Sequence, residues 1–293
     1  MIYEVRHVTK VRYASIVRLA RFNLRLKPAP WPSQILKSYA LNIDPLPSMV
    51  QDVVGPYIVN RSRLTLKEPL SRLTIESRFT VEVLRSTIDF ESVVAPSVEE
   101  VRRSALANRD ISEASPASYL YASPAAPITP EISDWAQPFF SDSNSILTSG
   151  KALMAEIHSR FRYDGEATDS DTLPAEAFRR RRGVCQDFAH IMIVAARAQG
   201  IPAAYVSGYL RTLPPPGKPR LVGADATHAW INLWCGEELG WIGFDPTNNV
   251  LVETNHIFTA MGRDYSDVAP LDGVFHGGHG QTMQVAVDVV PVE

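Results

Sequence analysis

The segment Gly183-Val184-Cys185-Gln186-Asp187-Phe188-Ala189-His190 constrains this chain most. It puts a cysteine directly ahead of an apolar run that stops at Gln199-Gly200-Ile201-Pro202. A run of that length closed by Gly and then Pro predicts a helix with Cys185 in its first turn. A first turn has backbone N–H groups without intrahelical partners and carries the positive end of the helix dipole. Both favour thiolate over thiol, and the thiolate is the nucleophilic form. The same N–H groups suit a developing oxyanion.

A buried cysteine is more often a small inert hydrophobe. The other cysteine of the chain, Cys235, serves as the comparison. It ends a strand in Leu233-Trp234-Cys235-Gly236-Glu237 with no helix start after it, and reads as structural. His228 opens the alternating stretch His228-Ala229-Trp230-Ile231-Asn232-Leu233-Trp234, a strand pattern with His228, Trp230, Asn232 and Trp234 on one face. Gly240-Trp241-Ile242-Gly243-Phe244-Asp245 is a second strand stopped by Pro246. The turn between Gly236 and Gly240 predicts a hairpin that brings His228 and Asp245 to one end. Alone, His228 reads as a satisfied strand histidine and Asp245-Pro246-Thr247 as a turn starter. With Cys185 they supply a nucleophile, a base and a carboxylate, in the order Cys, His, Asp.

The remaining candidates carry less. His190 lies five residues after Cys185, on another helix face, and is expected in the core. His276 and His279 flank a glycine pair, but no cysteine or carboxylate pattern completes a metal site, so no structural metal is expected. Asp169-Ser170-Asp171 lacks the glycine and distal glutamate of a calcium loop. The run from Arg179 to Arg182 reads as a solvated helix end that suits the dipole, with a substrate carboxylate contact as the weaker reading. The chain has no P-loop and no dinucleotide fingerprint.

The segments Arg182 to His190, Gly200-Ile201-Pro202-Ala203, Val206-Ser207-Gly208-Tyr209, His228-Ala229-Trp230 and Phe244-Asp245-Pro246-Thr247-Asn248 resemble the bacterial transglutaminase-like proteins. Gly262 to Val268 and Pro270 to Val274 resemble that family's C-terminal signature, and the N-terminal region its β-rich first domain. The resemblance implies an α+β chain: an N-terminal antiparallel β-sandwich, then a papain-like thiol core with the cysteine helix packed on an antiparallel sheet. It implies Cys185 as nucleophile, His228 as general base and acid, and Asp245 as the residue orienting His228, with no cofactor. Gln186 and Asp187 match a family pair and receive no role. Val53-Val54-Gly55-Pro56-Tyr57 departs from the family's aromatic-Gly-Asn turn, which bears on turn geometry in the first domain. The superfamily spans cross-linking transglutaminases, peptidases, amidases and inactive relatives, so the resemblance leaves the reaction open.

The 293 residues suffice for two domains, and 45% hydrophobic with 21% charged residues is ordinary globular composition. A net charge of −3 gives no reason to expect nucleic acid as a partner. No apolar run reaches the roughly 20 residues of a membrane helix, so no membrane partner is expected. With no leader pattern and a thiol that has to stay reduced, the expected compartment is the cytoplasm.

Residues 1–90 alternate in strand fashion, most clearly from Phe22 to Lys27 and from Leu73 to Val83, and are expected to form the sandwich. Residues 91–148 are expected to form a helical and loop connection that opens with the capping-box spacing Ser97-Val98-Glu99-Glu100. That connection should wrap on the core, since Tyr119, Trp135, Phe139 and Phe140 would otherwise be exposed. Residues 149–293 are expected to form the catalytic domain, entered by a helix with Leu153, Ile157 and Phe161 on one face, with Pro214 to Gly217 as a surface loop and 283–290 as a last strand. Two functional classes follow. One is a thiol-dependent enzyme acting on amides of a peptide or protein, with water or an amine as acceptor. The other is a binding module that presents the same groove without chemistry.

Overall fold

The computed structural model describes residues 1–90, 92–212, 226–278 and 280–292. The expected loop at Pro214 to Gly217, and His279, lie outside the described residues. The first domain is built on the 23-residue β1 (Ile2–Leu24), whose buried side chains fall mainly on odd positions to Val17 and on even positions from Ala20. Around it lie β2 (Gln34–Asp44), β3 (Met49–Val54), β4 (Asn60–Leu66) and β5 (Leu70–Val83). All pair antiparallel, in the order β2-β5-β1-β4-β3. The register of β1 against β5 shifts between Arg12 and Val17. Such an irregularity bends a strand and increases its twist. The bend lets one continuous sheet, an antiparallel half-barrel, serve two apolar clusters. The first, with Val11, Phe22, Leu64 and Leu73, is the domain's own core. The second joins Tyr3, Val5, Phe79 and Val81 to residues of the following unit.

The connection contains α1 (Val98–Ala107) and α2 (Pro130–Ala136). Ser97 and Glu100 form the expected reciprocal capping box. Tyr119 and Phe140 are buried, and Trp135 and Phe139 pack partly buried against the core, so the connection does wrap on the rest of the chain. Arg197 holds it there. Its buried guanidinium donates to the carbonyls of Tyr119, Ala203 and Arg263 and to Ser123 Oγ.

The core continues with α3 (Ile146–Arg160), whose apolar face includes Leu153 and Ile157. Then come β6 (Arg162–Tyr163), α4 (Pro174–Arg180), β7 (Arg182–Gly183) and α5 (Cys185–Ala198), the helix predicted around Cys185. It is followed by β8 (Ala203–Leu210), β9 (Ala226–Trp234), β10 (Trp241–Asp245), β11 (Val250–Leu251) and β12 (His256–Gly262). These form a five-stranded antiparallel sheet in the order β11-β10-β9-β8-β12, with the expected β9–β10 hairpin at one side. Helix α5 packs on this sheet against β8 and β9, with the His190 ring set on Tyr205 of β8. No described helix is long and apolar enough to cross a membrane.

After the short α6 (Tyr265–Val268), the chain leaves the core sheet. Strands β13 (Leu271–Gly277) and β14 (Gln281–Val292) pair antiparallel with β1, closing the N-terminal sheet from the far end of the sequence. The expected unit 149–293 therefore differs from the strand pairing over its last residues. An alternating pattern shows that a strand exists; which free edge it joins is decided by packing. Here Val287 and Val289 fill the second cluster beside Tyr3 and Val5.

Candidate active site

Cys185 is the first residue of α5 and is half-buried, whereas Cys235 is fully buried. The turn into α5 is set by Asp187, whose Oδ2 accepts from the Val184 N–H at 2.7 Å and from Thr168 Oγ1 at 2.6 Å. A carboxylate at the third helical position that reaches back to the N-cap amide satisfies a backbone donor the helix itself cannot. The Asp187 side chain fills the space over Gly183, where a Cβ would lie 2.5 Å from Oδ2, so only glycine fits. Burial pushes the Asp187 pKa up, against the hydrogen bonds from Thr168 and Val184. Gln186 Nε2 donates to the Ser170 carbonyl at 3.0 Å. The unassigned Gln186-Asp187 pair thus ties the loop after β6 to the start of the cysteine helix.

His228 lies on β9 directly across from Gly208 on β8. Trp230 packs over Gly208: a Cβ there would meet the Trp230 ring at 2.5 Å and the Ile257 carbonyl at 2.2 Å. Trp230 is 1% exposed and belongs to the core, the bland reading of that residue. Trp241 is engaged elsewhere, edge-on to Tyr119 and donating to the Ala114 carbonyl.

His228 Nε2 lies 2.8 Å from Asp245 Oδ2, and Cys185 lies close enough to act on the His228 ring. With Nε2 engaged by the carboxylate, Nδ1 is the ring nitrogen left over. Burial works against charge on His228, but hydrogen bonds to Asp245 and Cys185 and the charges of both prevail, and its pKa is pushed up to about 10. Burial likewise opposes ionisation of Asp245, yet bonds from His228, His256 and Asn248 hold it far below the usual carboxylate range. The structure therefore brings together all three residues picked out in the sequence.

Two further residues complete the cluster. Asn248 Nδ2 donates to Asp245 Oδ2 at 2.7 Å, and the Thr247 and Asn248 amides donate to Oδ1. His256, at the start of β12, has its Nε2 3.1 Å from the same Oδ2. Asn248 falls within the Phe244 to Asn248 motif, whereas the one signal in sequence for His256 is a histidine directly ahead of Ile257-Phe258. His228, Asp245 and His256 bring ligand-type atoms within 4.8 Å of one another. Oδ2 accepts from both ring nitrogens at hydrogen-bond distance, so these atoms are spent on each other rather than aimed at a common vacant point.

The weaker candidates resolve simply. His190 is buried on α5, its Nε2 accepting from the Tyr265 amide. Asp169 accepts from the Asp171 amide and Thr172 Oγ1, a self-contained turn. In the arginine run, Arg179 pairs with Glu131, Arg180 with Glu176 and Arg182 with Asp164. Arg181 stacks over Phe161 and Phe178.

Comparison with known proteins agrees with this fold. Residues 3–82 match the bacterial transglutaminase-like N-terminal region, and residues 133–246 match the transglutaminase-like superfamily core. An uncharacterised protein of Mycobacterium tuberculosis H37Rv is 36% identical over 304 residues, covering 99% of this chain and 93% of that protein. A Pseudomonas aeruginosa protein-glutamine gamma-glutamyltransferase is 36% identical over 111 residues, 35% of this chain and 16% of that protein. The crystal structure of a candidate cysteine protease from Cytophaga hutchinsonii superposes with a TM-score of 0.78 at 22% identity, over 100% of this chain and 92% of that one, and shows the same fold. From its first strands through the cysteine helix and the sheet beneath it, the chain belongs to the bacterial transglutaminase-like proteins.

Proposed function

We propose that this protein is a thiol-dependent acyl-transfer enzyme acting on peptide or protein amides, with Cys185 as nucleophile, His228 as acid and base, and Asp245 orienting His228. The observation that carries this reading is the His228 ring set between the helix-start Cys185 and a buried Asp245 bonded to its Nε2, which suits His228 to take the thiol proton. The thiolate attacks the amide carbonyl, and the backbone N–H of Cys185 at the helix start supports the oxyanion. The C–N bond breaks as His228 gives its proton to the leaving amine, leaving a thioester on Cys185. His228 then takes a proton from the acceptor, which attacks the thioester and frees the thiol.

Water is the acceptor we favour, giving a peptidase or amidase. Trp230 and Trp241, the aromatics that could have walled a dry amine site, are engaged in the core and with the connecting segment. Similarity to the P. aeruginosa protein-glutamine gamma-glutamyltransferase across 111 residues supports the second reading, an amine acceptor. A thiol that must stay reduced suits a reducing compartment, and we place the enzyme in the cytoplasm. The test supplies a glutamine-containing peptide library with a labelled primary amine. Free acid should form faster than labelled conjugate; the reverse order would replace the hydrolase with a transglutaminase. Cys185→Ala should lower either activity by about a thousandfold or more, as for removal of a nucleophile acting within a unit, and unchanged turnover would sink the mechanism.

A further inference from the structure

The site holds a second histidine that this chemistry does not use. Asp245 Oδ2 accepts from His228 Nε2 at 2.8 Å, from His256 Nε2 at 3.1 Å and from Asn248 Nδ2 at 2.7 Å. His256 is 6% exposed, and its ring stands edge-on to Trp230 with centroids 5.3 Å apart. Its Nδ1 accepts from the Glu253 amide at 3.4 Å. A ring nitrogen that accepts bears no proton, so the ring proton is on Nε2 and His256 donates to Asp245.

We propose that His256 is a positioning residue of this site: by donating its Nε2–H to the oxygen that also accepts from His228, it limits how tightly Asp245 holds the His228 proton. The proposal rests on the acyl-transfer reading above. Asp245 does not need His256 as an anchor, because the Thr247 and Asn248 amides hold Oδ1 and the Asn248 side chain holds Oδ2. What His256 changes is the charge left for His228. A hydrogen bond to the ionised form of a carboxylate lowers its basicity. An oxygen shared among three donors therefore offers each of them less than it would offer two. The chemistry needs that moderation, since a general acid works best when its pKa lies near the operating pH. A proton held by an unmoderated buried carboxylate would be slow to pass to the leaving amine.

The ionisable groups around this cluster come from several elements. Cys185 faces His228 from α5. Behind His256, a cavity of about 980 Å³ is bordered by Arg85 and Asp89 after β5, Lys151 on α3, and Glu253. His158 on α3 approaches from another side, bonded to the Thr247 carbonyl. Asp245 takes its hydrogen bonds from His228, His256, Thr247 and Asn248.

The test is a histidine-labelled NMR titration of the wild type, His256→Phe and His256→Gln. The His228 midpoint should rise by about half to one pH unit in His256→Phe, which keeps ring bulk and loses the donor. In His256→Gln, whose amide can donate to the same oxygen, the midpoint should stay near that of the wild type. A midpoint that is unchanged or lower in His256→Phe overturns the proposal. Should His256→Phe fail to fold, the wild-type spectrum still decides. It should show His256 as the Nε2–H tautomer with a slowly exchanging ring proton, and the Nδ1–H tautomer would overturn the proposal. A wild-type His228 titrating near an ordinary histidine value would instead sink the coupled Cys185–His228–Asp245 reading itself, whatever His256 does.

Discussion

Mild acid should destabilise this protein above the range where its ordinary carboxylates titrate, and two buried histidines set the size of the effect. His7 points inward from β1, its ring nitrogens bonded to Tyr209 Oη and Thr9 Oγ1, each at 3.0 Å. Burial lowers its pKa to about 4. His190 sits inside α5 with Nε2 accepting from the Tyr265 amide, so charging it breaks that bond. Burial, only partly offset by Asp264, lowers its pKa to about 4 as well. Both groups have folded pKa values below the unfolded value near 6.5, so the unfolded chain takes up protons first. Their contribution is full above pH 6.5 and is lost as pH falls toward 4. Each shift is worth about 3 kcal/mol at ~1.4 kcal/mol per unit. Between pH 6.5 and 5 the protonation difference grows from about one to nearly two, a slope of about 1.5–2.5 kcal/mol per pH unit. His228 does not contribute in this window. Its raised pKa gives stability that is complete below about pH 6.5 and lost as pH rises through about 10. The check is urea unfolding at half-unit steps from pH 7.5 to 5. The His7→Gln/His190→Gln double variant should lose most of the slope. A wild type of constant stability from pH 6.5 to 5, or a double variant with the wild-type slope, would refute the reasoning.

Three more outcomes are open to direct measurement. Asp245→Asn removes the charge behind His228, so the His228 midpoint should fall from about 10 toward the ordinary histidine range, with turnover down by about a hundredfold or more; NMR titration and steady-state kinetics check both. Gly208→Ala places a Cβ 2.2 Å from the Ile257 carbonyl and 2.5 Å from Trp230. It should destabilise the fold by about 3 kcal/mol through overpacking, read from the shift in urea midpoint. Iodoacetamide at neutral pH should modify Cys185 alone in the native protein. Cys235 is fully buried and burial raises its pKa, so mass mapping that finds Cys235 modified first would contradict its structural assignment.

Local physics made much of this molecule legible before any coordinates. The Gly-then-Pro stop after an apolar run gave α5 its end, and placement directly ahead of that run gave Cys185 its helix start. The Ser97–Glu100 capping box, the β9–β10 hairpin and the hairpin-end placement of His228 and Asp245 rest on spacing of a few residues, which sequence carries directly. Long-range choices were not encoded that way. Nothing local tells β14 to pair with Ile2–Tyr13 rather than with a core strand, because period-two alternation fixes a face and not a neighbour. The role of Asp187 needed Thr168 and the space over Gly183, reached only once the chain folds back. His256 joined the site because β12 pairs with β8 on the far side from β9, setting its ring beside Trp230 and its Nε2 against Asp245. The sequence by itself determined the helix that begins at Cys185 and the hairpin that carries His228 and Asp245. Tertiary structure alone decided which donors share the buried carboxylate, because hydrogen-bond partners distant in sequence meet only where packing brings their strands together.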